Sequence, residues 1–162
     1  MKMIMFLIVV ILLVVPDQIV KLVDLISARS FYVTRVYKAT SDIFHIVLIG
    51  RIDLESLQSF CSEFFHSDHG SLYRHAVIVL NEEPSREMEK FLNSKENKGS
   101  LIYIQGDSSS DDDLLRADIV NAKACIVFTD KNSKDPISED QLNTLKCLHI
   151  NKYVYLTWLK NL

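Results

Sequence analysis

The chain has 162 residues, of which 48% are hydrophobic and 24% charged, so its composition is that of an ordinary folded domain. Eighteen Lys and Arg residues against 21 Asp and Glu residues leave a net charge of -3 without a basic stripe, which argues against nucleic acid as a partner. Only four Gly and three Pro residues exclude the disordered and collagen-like classes.

An apolar run opens the chain. Residues 3–15 are hydrophobic without interruption, and Pro16 closes the run. A signal-peptide core, the end of a membrane helix and a buried core helix are the three alternatives for a run of this length. No small-x-small cleavage pattern follows, and helical apolar spacing continues beyond Pro16. These features favour a membrane helix over residues 1–16 and an amphipathic linker over residues 17–42, with the chain after about residue 16 on the cytoplasmic side.

Beyond residue 42, short apolar runs alternate with helical patterns. The predicted strands cover residues 45–50, 76–80, 101–106, 124–128 and 153–158. The predicted helices cover residues 54–65, 85–92, 111–119 and 139–150. Ser85 is placed to cap the second helix, and Ser138 with Gln141 forms a capping box for the last. The alternation predicts an α/β fold over residues 43–162, a Rossmann-like parallel sheet with helices on both faces.

Cysteine usage points to a reducing compartment. Cys61, Cys125 and Cys147 are odd in number, widely spaced and embedded in apolar runs. No CxxC pair occurs, and the spacings supply no thiolate zinc site. The sequence therefore predicts three buried thiols.

The loop after the first predicted strand tests for a nucleotide cofactor, because ligands of such sheets bind at the carboxyl ends of the strands. This loop begins at Gly50 but lacks the other two glycines of a dinucleotide fingerprint. Asp53 and Glu55 would also repel a phosphate at the following helix start. We therefore expect no NAD or ATP. No nucleophile elbow or Ser/His/Asp pattern is recognisable either, so the sequence does not predict an enzyme.

Two acidic clusters raise the question of calcium. Residues 111–113 follow three serines, a pattern typical of a helix start rather than of a metal site. Asp135, Glu139 and Asp140 lie where a loop meets the last predicted helix, and their carboxylates could supply part of a hard-cation site. The surrounding loop lacks the glycine and the final glutamate of an EF-hand, and spacing alone favours a capped, solvated helix start.

Several segments resemble one known family, in order along the chain. They are residues 15–22, 45–50, 54–56, 103–106, 113–117, 121–125 and 135–140. The first is similar to the cytoplasmic end of the pore-lining helix in large-conductance calcium-activated potassium channels of the slowpoke (BK) type. The others resemble the amino-terminal lobe of that family's first RCK (regulator of K+ conductance) domain. The resemblance extends from about residue 15 to residue 158.

The resemblance implies a fragment of a calcium-activated potassium channel alpha subunit, a cytoplasmic gating domain that couples ion binding to pore opening. It implies a tetramer with other channel subunits and a membrane contact through the N-terminal helix. The family's Asp-Pro-x-x-Glu-Asp segment contributes to a calcium site, and the matching residues here are Asp135 and Asp140, with Glu139 adjacent. That calcium site would be incomplete in this chain. The alternative hypothesis is a membrane-anchored Rossmann-fold nucleotide-binding protein or enzyme.

Overall fold

The computed structural model describes residues 3–4, 15–21, 23, 31–40, 44–66, 75–130 and 132–160. The chain divides into two compact units, Met1–Thr34 and Arg35–Leu162. The described residues of the first unit are helical. Among all described residues, none of the helices has the length and apolar character needed to cross a membrane. Of the membrane helix predicted over residues 1–16, residues 1–2 and 5–14 lie outside the described residues.

A parallel four-stranded sheet forms the centre of the second unit. Its strands are β1 (Phe44–Gly50), β2 (His75–Asn81), β3 (Leu101–Gln105) and β4 (Ala124–Phe128). Their spatial order is β3-β2-β1-β4, so the chain moves outward from β1 through β2 to β3 and then returns to place β4 on the other side of β1. The strands are largely apolar runs, as expected of a sheet covered on both faces. The predicted α/β, Rossmann-like parallel sheet and its first four strands are confirmed.

Helices α1 (Leu54–Phe64) and α2 (Arg86–Leu92) cover one face of the sheet. Right-handed crossovers from β1 to β2 and from β2 to β3 place both helices on the same side. Ser56 N donates to the Asp53 carboxylate at 2.7 Å, and Met88 N donates to Ser85 Oγ at 3.2 Å. Each helix thus begins at a side-chain cap, and the prediction for Ser85 is confirmed.

The opposite face is covered by α3 (Asp111–Arg116), a 3-10 turn (Ile119–Asn121) and α4 (Pro136–Lys160). The return from β3 to β4 runs in the other direction along the sheet, which puts these elements on the second face. A buried apolar cluster lies here and contains Val47, Ile49, Ile78, Leu80, Ile104, Leu114, Ala117, Ile119 and Ile150. Tyr37 and Val127 pack against this cluster.

The predicted fifth strand over residues 153–158 is wrong, because these residues belong to the last turns of α4. Aromatic and β-branched residues suggested a strand, but neither Gly nor Pro occurs between residues 137 and 160 to end the helix. Ile150, Tyr153 and Val154 share the helical spacing that faces the core cluster. The helix also begins earlier than predicted. Its cap is Asp135, whose Oδ1 accepts from Ser138 N at 3.2 Å, because Pro136 starts the helix.

The prediction of three buried cysteines is correct for Cys61 and wrong for the other two, which are exposed. Cys61 faces the sheet from α1 and is 4% exposed. Cys125 lies on β4, which is an edge strand of the described sheet. Cys147 lies on α4, beside rather than at the centre of its buried stripe. An apolar run therefore did not guarantee burial at the sheet edge.

Candidate functional site

The carboxyl ends of β1, β2 and β3 border a cavity of about 720 Å³. Five carboxylate side chains and two basic side chains line it, namely those of Asp53, Glu82, Glu83, Asp107, Glu139, Arg51 and Lys146. The excess of carboxylates gives the cavity a negative potential, which disfavours anionic ligands. This is the edge at which the doubly wound topology predicts ligand binding.

Gly50 ends β1 at this edge, and its geometry explains the glycine without a phosphate. Its φ is +97°, and a Cβ atom there would collide with the carbonyl oxygen of Phe128 on β4. Arg51 N donates to that same oxygen at 3.2 Å. The Asp53 carboxylate already caps the N-terminus of α1, where a nucleotide phosphate would have to bind. The glycine therefore serves the close approach of β1 and β4.

The three predicted calcium ligands do not converge on one point. Asp135 caps α4, and Glu139 Oε1 accepts from Asp130 N at 3.3 Å. Glu139 lines the cavity, whereas Asp140 is exposed and does not. Among the described residues, no group of three or more His, Cys, Asp or Glu side chains is placed to hold a metal ion. These carboxylates do not form a metal centre on their own, and a calcium role in a complete subunit stays a prediction.

Helix α3 carries a partly buried ion pair that organises the neighbouring loop. Arg116 pairs with the Asp113 carboxylate three residues earlier, and each side chain is 19% exposed. Asp113 Oδ2 also accepts from Asp107 N at 2.8 Å. Gly106 lies against this ion pair, and a Cβ at Gly106 would meet both the Asp113 carboxylate and the Arg116 guanidinium. Within residues 111–113, Asp113 is thus an ion-pair partner rather than a simple helix-start charge.

The Arg116 guanidinium joins three parts of the chain. Its Nη2 donates to the Gln105 carbonyl oxygen at the end of β3 at 2.7 Å, and its Nε donates to Asp113 at 3.1 Å. Its Nη1 donates to the Arg35 carbonyl oxygen at 3.3 Å. Arg35 belongs to the end of the predicted linker, so one side chain holds a strand end, a helix and the linker together.

Further hydrogen bonds fix the linker end to residues 116–118, which we call the 116–118 corner. Tyr37 N donates to the Arg116 carbonyl oxygen at 2.8 Å. Ala39 N donates to Asp118 Oδ2 at 2.7 Å. Asp118 has a φ of 52°, a left-handed conformation that Asp and Asn tolerate better than most residues. The segment 35–39 is therefore attached by its backbone as well as through the Arg116 side chain.

Two ring side chains lie under this contact, a buried His45 and a half-buried Tyr37. His45 is 1% exposed, and its Nε2 lies 3.0 Å from the Asp118 carbonyl oxygen, which can only accept. The Tyr37 ring packs on the His45 ring with centroids 4.8 Å apart. Burial and the nearby Asp118 carboxylate raise the pKa of Tyr37 above its ordinary value. The phenol therefore loses its proton less readily than an exposed tyrosine does.

The sequence did not indicate that Arg116, Asp118, Tyr37 and His45 form one connected cluster of contacts. The Asp113–Arg116 spacing of three was visible as a helical pair, but its partners were not. Arg116 and Arg35 are 81 residues apart, and Ala39 and Asp118 are 79 apart. The one signal in the sequence was the family resemblance of residues 103–106 and 113–117. The structure joins these two segments through Arg116.

Comparisons with known proteins identify relatives that match most of the chain. The calcium-activated potassium channel slowpoke-like RCK domain matches residues 43–159. Potassium channel subfamily U member 1 of Rattus norvegicus is 28% identical over 142 residues, which are 88% of this chain and 12% of that protein. The structure of the human SLO3 gating ring matches with a TM-score of 0.53 at 23% identity, covering 67% of this chain and 17% of the other. This chain thus spans a small part of the relatives it matches.

Proposed function

Because the chain belongs to the slowpoke-like RCK domain family of calcium-activated potassium channels, we propose that it acts as a gating module whose linker transmits lobe movements to a pore. The observation that carries this proposal is the attachment of residues 35–39 to the 116–118 corner. A gating lobe has to hold its linker firmly, since a loose attachment would absorb any displacement before it reached the pore.

The corner is suited to transmitting a movement because it is bonded to the end of β3 on one side and to the linker on the other. Arg116 bonds both the Gln105 and the Arg35 carbonyl oxygens. A displacement of the loop that begins at Gly106 would therefore move Asp113, Arg116 and the linker together. Charge-assisted hydrogen bonds of this kind contribute about 1.5–3 kcal/mol each when shielded from water, and partial exposure reduces that contribution.

The remaining parts of the proposal concern the membrane and the partners. The apolar run of residues 3–15 supports a pore-helix end over residues 1–16, with residues 17–42 as the linker and the lobe on the cytoplasmic side. The likeness to a gating ring supports assembly with other channel subunits, as a tetramer. Assembly would also supply the pore that the module acts upon.

Calcium belongs to the proposal only for a complete subunit. The Asp135 and Glu139 carboxylates are engaged in hydrogen bonds at the start of α4, and Asp140 is exposed on the helix. Additional oxygen ligands from elsewhere in a subunit would be needed, because calcium takes six to eight. Asp140 is the ligand we propose first, since a solvent-facing carboxylate is free to turn toward a neighbouring element.

The gating role is tested with Asp118→Ala in a complete channel subunit. The substitution removes the acceptor for Ala39 N and places Ala at a φ of 52°. We expect a displaced activation curve, measured from macroscopic currents, at unchanged single-channel conductance. Asp118→Asn is the matched control, because it keeps an oxygen acceptor and tolerates the left-handed backbone. An Ala variant that activates like the Asn variant and the parent would contradict the proposal.

The alternative of a nucleotide-binding protein makes a different prediction. Titration of the chain with NAD and with ATP should give saturable binding if that alternative holds. We expect none, because Asp53 occupies the N-terminus of α1 and the adjoining cavity carries excess carboxylates. Micromolar binding of either nucleotide would favour the alternative over the gating module.

A further inference from the structure

Two cysteines outside the linker contact lie on surfaces that face each other. Cys125 is paired in register with Val47 of β1, and the side chains of paired residues project from the same face of a parallel sheet. Val47 belongs to the core cluster on the face covered by α4. Cys125 therefore points toward α4, while its strand stays open along the outer edge of the described sheet.

Cys147 lies on the flank of α4 that is turned toward the sheet. It follows Asn143 by four residues and precedes Ile150 by three, and both of those residues are buried. Positions spaced by three and four share one side of a helix. Glu139 and Lys146 line the cavity at the strand ends, whereas Cys147 does not, so Cys147 occupies the other flank of the stripe. That flank lies toward β4.

The two cysteines are also close in height along the sheet. Asp130 N donates to Glu139 Oε1 at 3.3 Å, which fixes the start of α4 beside the end of β4. Cys125 precedes Asp130 by five residues of extended chain, which span roughly 17 Å. Cys147 follows Glu139 by eight residues of helix, which span roughly 12 Å. Val127 packs against the core cluster, and Ile150, three residues beyond Cys147, belongs to it. The difference in height is about one helical turn.

The electrostatics of the pair agree with this proximity. Burial and then the neighbouring Cys147 sulfur raise the pKa of Cys125 to about 11. Cys125 faces into the helix-covered side although the residue as a whole is exposed at the strand edge. Cys125 is thus almost entirely protonated at neutral pH.

We propose that Cys125 and Cys147 form a redox pair that closes a reversible disulfide between β4 and α4 when hydrogen peroxide is present. The exposed Cys147 thiolate attacks the peroxide, so an S–O bond forms, the O–O bond breaks, and hydroxide leaves to become water. Cys125 then loses its proton and attacks the Cys147 sulfur. An S–S bond forms as the S–O bond breaks, and a second water leaves. Two thiols and one hydrogen peroxide give one disulfide and two waters.

The consequence is a covalent link at the sheet edge. The disulfide would hold α4 against a strand that the described sheet leaves open on its outer side. Cys61 is not part of this chemistry, because it is buried on the opposite face of the sheet. It serves as the internal control.

The experiment treats the full chain with hydrogen peroxide, quenches with an alkylating agent and digests with trypsin. We expect peptides 124–131 and 147–152 to be joined by a disulfide that a phosphine reductant cleaves. Cys61→Ser should leave this link intact, whereas Cys125→Ser and Cys147→Ser should abolish it while keeping the circular dichroism spectrum of the parent. Oxidation of Cys147 only to the sulfinic acid, or a link formed only between two chains, would overturn the proposal.

Discussion

Replacing Arg116 with Met removes the guanidinium that joins the linker, β3 and α3 while keeping most of the apolar stem. The parent side chain donates to the Gln105 and Arg35 carbonyl oxygens and pairs with Asp113. A shielded hydrogen bond to a charged group contributes about 1.5–3 kcal/mol, and a carbonyl left without its partner costs about 1–3 kcal/mol. Since Arg116 and Asp113 are each 19% exposed, water recovers part of this loss. We expect Arg116→Met to lower the free energy of unfolding by about 3 kcal/mol.

The assay is urea denaturation of the chain, with Arg51→Met as the matched control. Arg51 also pairs with an aspartate, Asp130, at 3.4 Å, but its side chain is 75% exposed. Exposed pairs of this kind contribute little, so the control should change the free energy of unfolding by less than about 0.5 kcal/mol. If Arg116→Met falls within about 1 kcal/mol of the control, the corner does not hold the linker as described.

Three further predictions concern other parts of the lobe. Gly50→Ala should lower the free energy of unfolding more than Gly99→Ala in the same assay. Both glycines have positive φ, but only a Cβ at Gly50 meets the Phe128 backbone. Equal losses of stability would show that the contact with Phe128 adds nothing to the backbone strain. Burial raises the pKa of Cys61 from 9.0 to about 11, so the contribution of the protonated thiol to the free energy of unfolding should be full below pH 9 and decline as the pH rises toward 11. Cys61→Ala should flatten this decline in thermal melts at a series of pH values, and an unchanged slope would count against burial of the thiol. In a complete subunit, Asp140→Ala should shift calcium activation to higher concentrations, and an unaltered calcium response in patch recordings would remove Asp140 from the site.

The sheet could be predicted because each of its strands is a local signal. The strands β1 to β4 are apolar runs bounded by polar or glycine-containing loops, and Ser85 marks a helix start within three residues of the amide it caps. Such signals need only neighbouring residues. The order of elements then fixes the parallel, doubly wound arrangement.

Residues near the C-terminus were harder to predict because local and tertiary preferences compete there. Tyr153 and Val154 favour strands by propensity, yet they pack on the core cluster as part of α4. Cys125 lies in an apolar run, but its exposure depends on whether its strand is central or at an edge, and Cys147 is exposed because it lies beside the buried stripe of α4. Edge position follows from the strand order, which the sequence pattern alone did not specify.

The 116–118 corner could not have been predicted from spacing, because its bonds are made by backbone groups and by residues far apart in the chain. The donors of Tyr37 and Ala39 are main-chain amides, which every residue except proline possesses. The αL conformation of Asp118 and the acceptors offered to Arg116 appear only when the chain has folded. Two of the segments that resemble the RCK family, residues 103–106 and 113–117, were in contrast recognisable and are joined here through Arg116.

Amide hydrogen exchange at Tyr37 and Ala39 tests the attachment of the linker end most directly. Both amides donate to acceptors on the 116–118 corner, at 2.8 Å and 2.7 Å respectively. We predict protection of both in the parent chain, with Asp118→Ala removing the protection of Ala39 more than that of Tyr37, because the Tyr37 acceptor is the Arg116 carbonyl oxygen. Exchange of both parent amides at the rate of an unstructured peptide would contradict the account, since a linker that is not held cannot transmit a movement of the lobe.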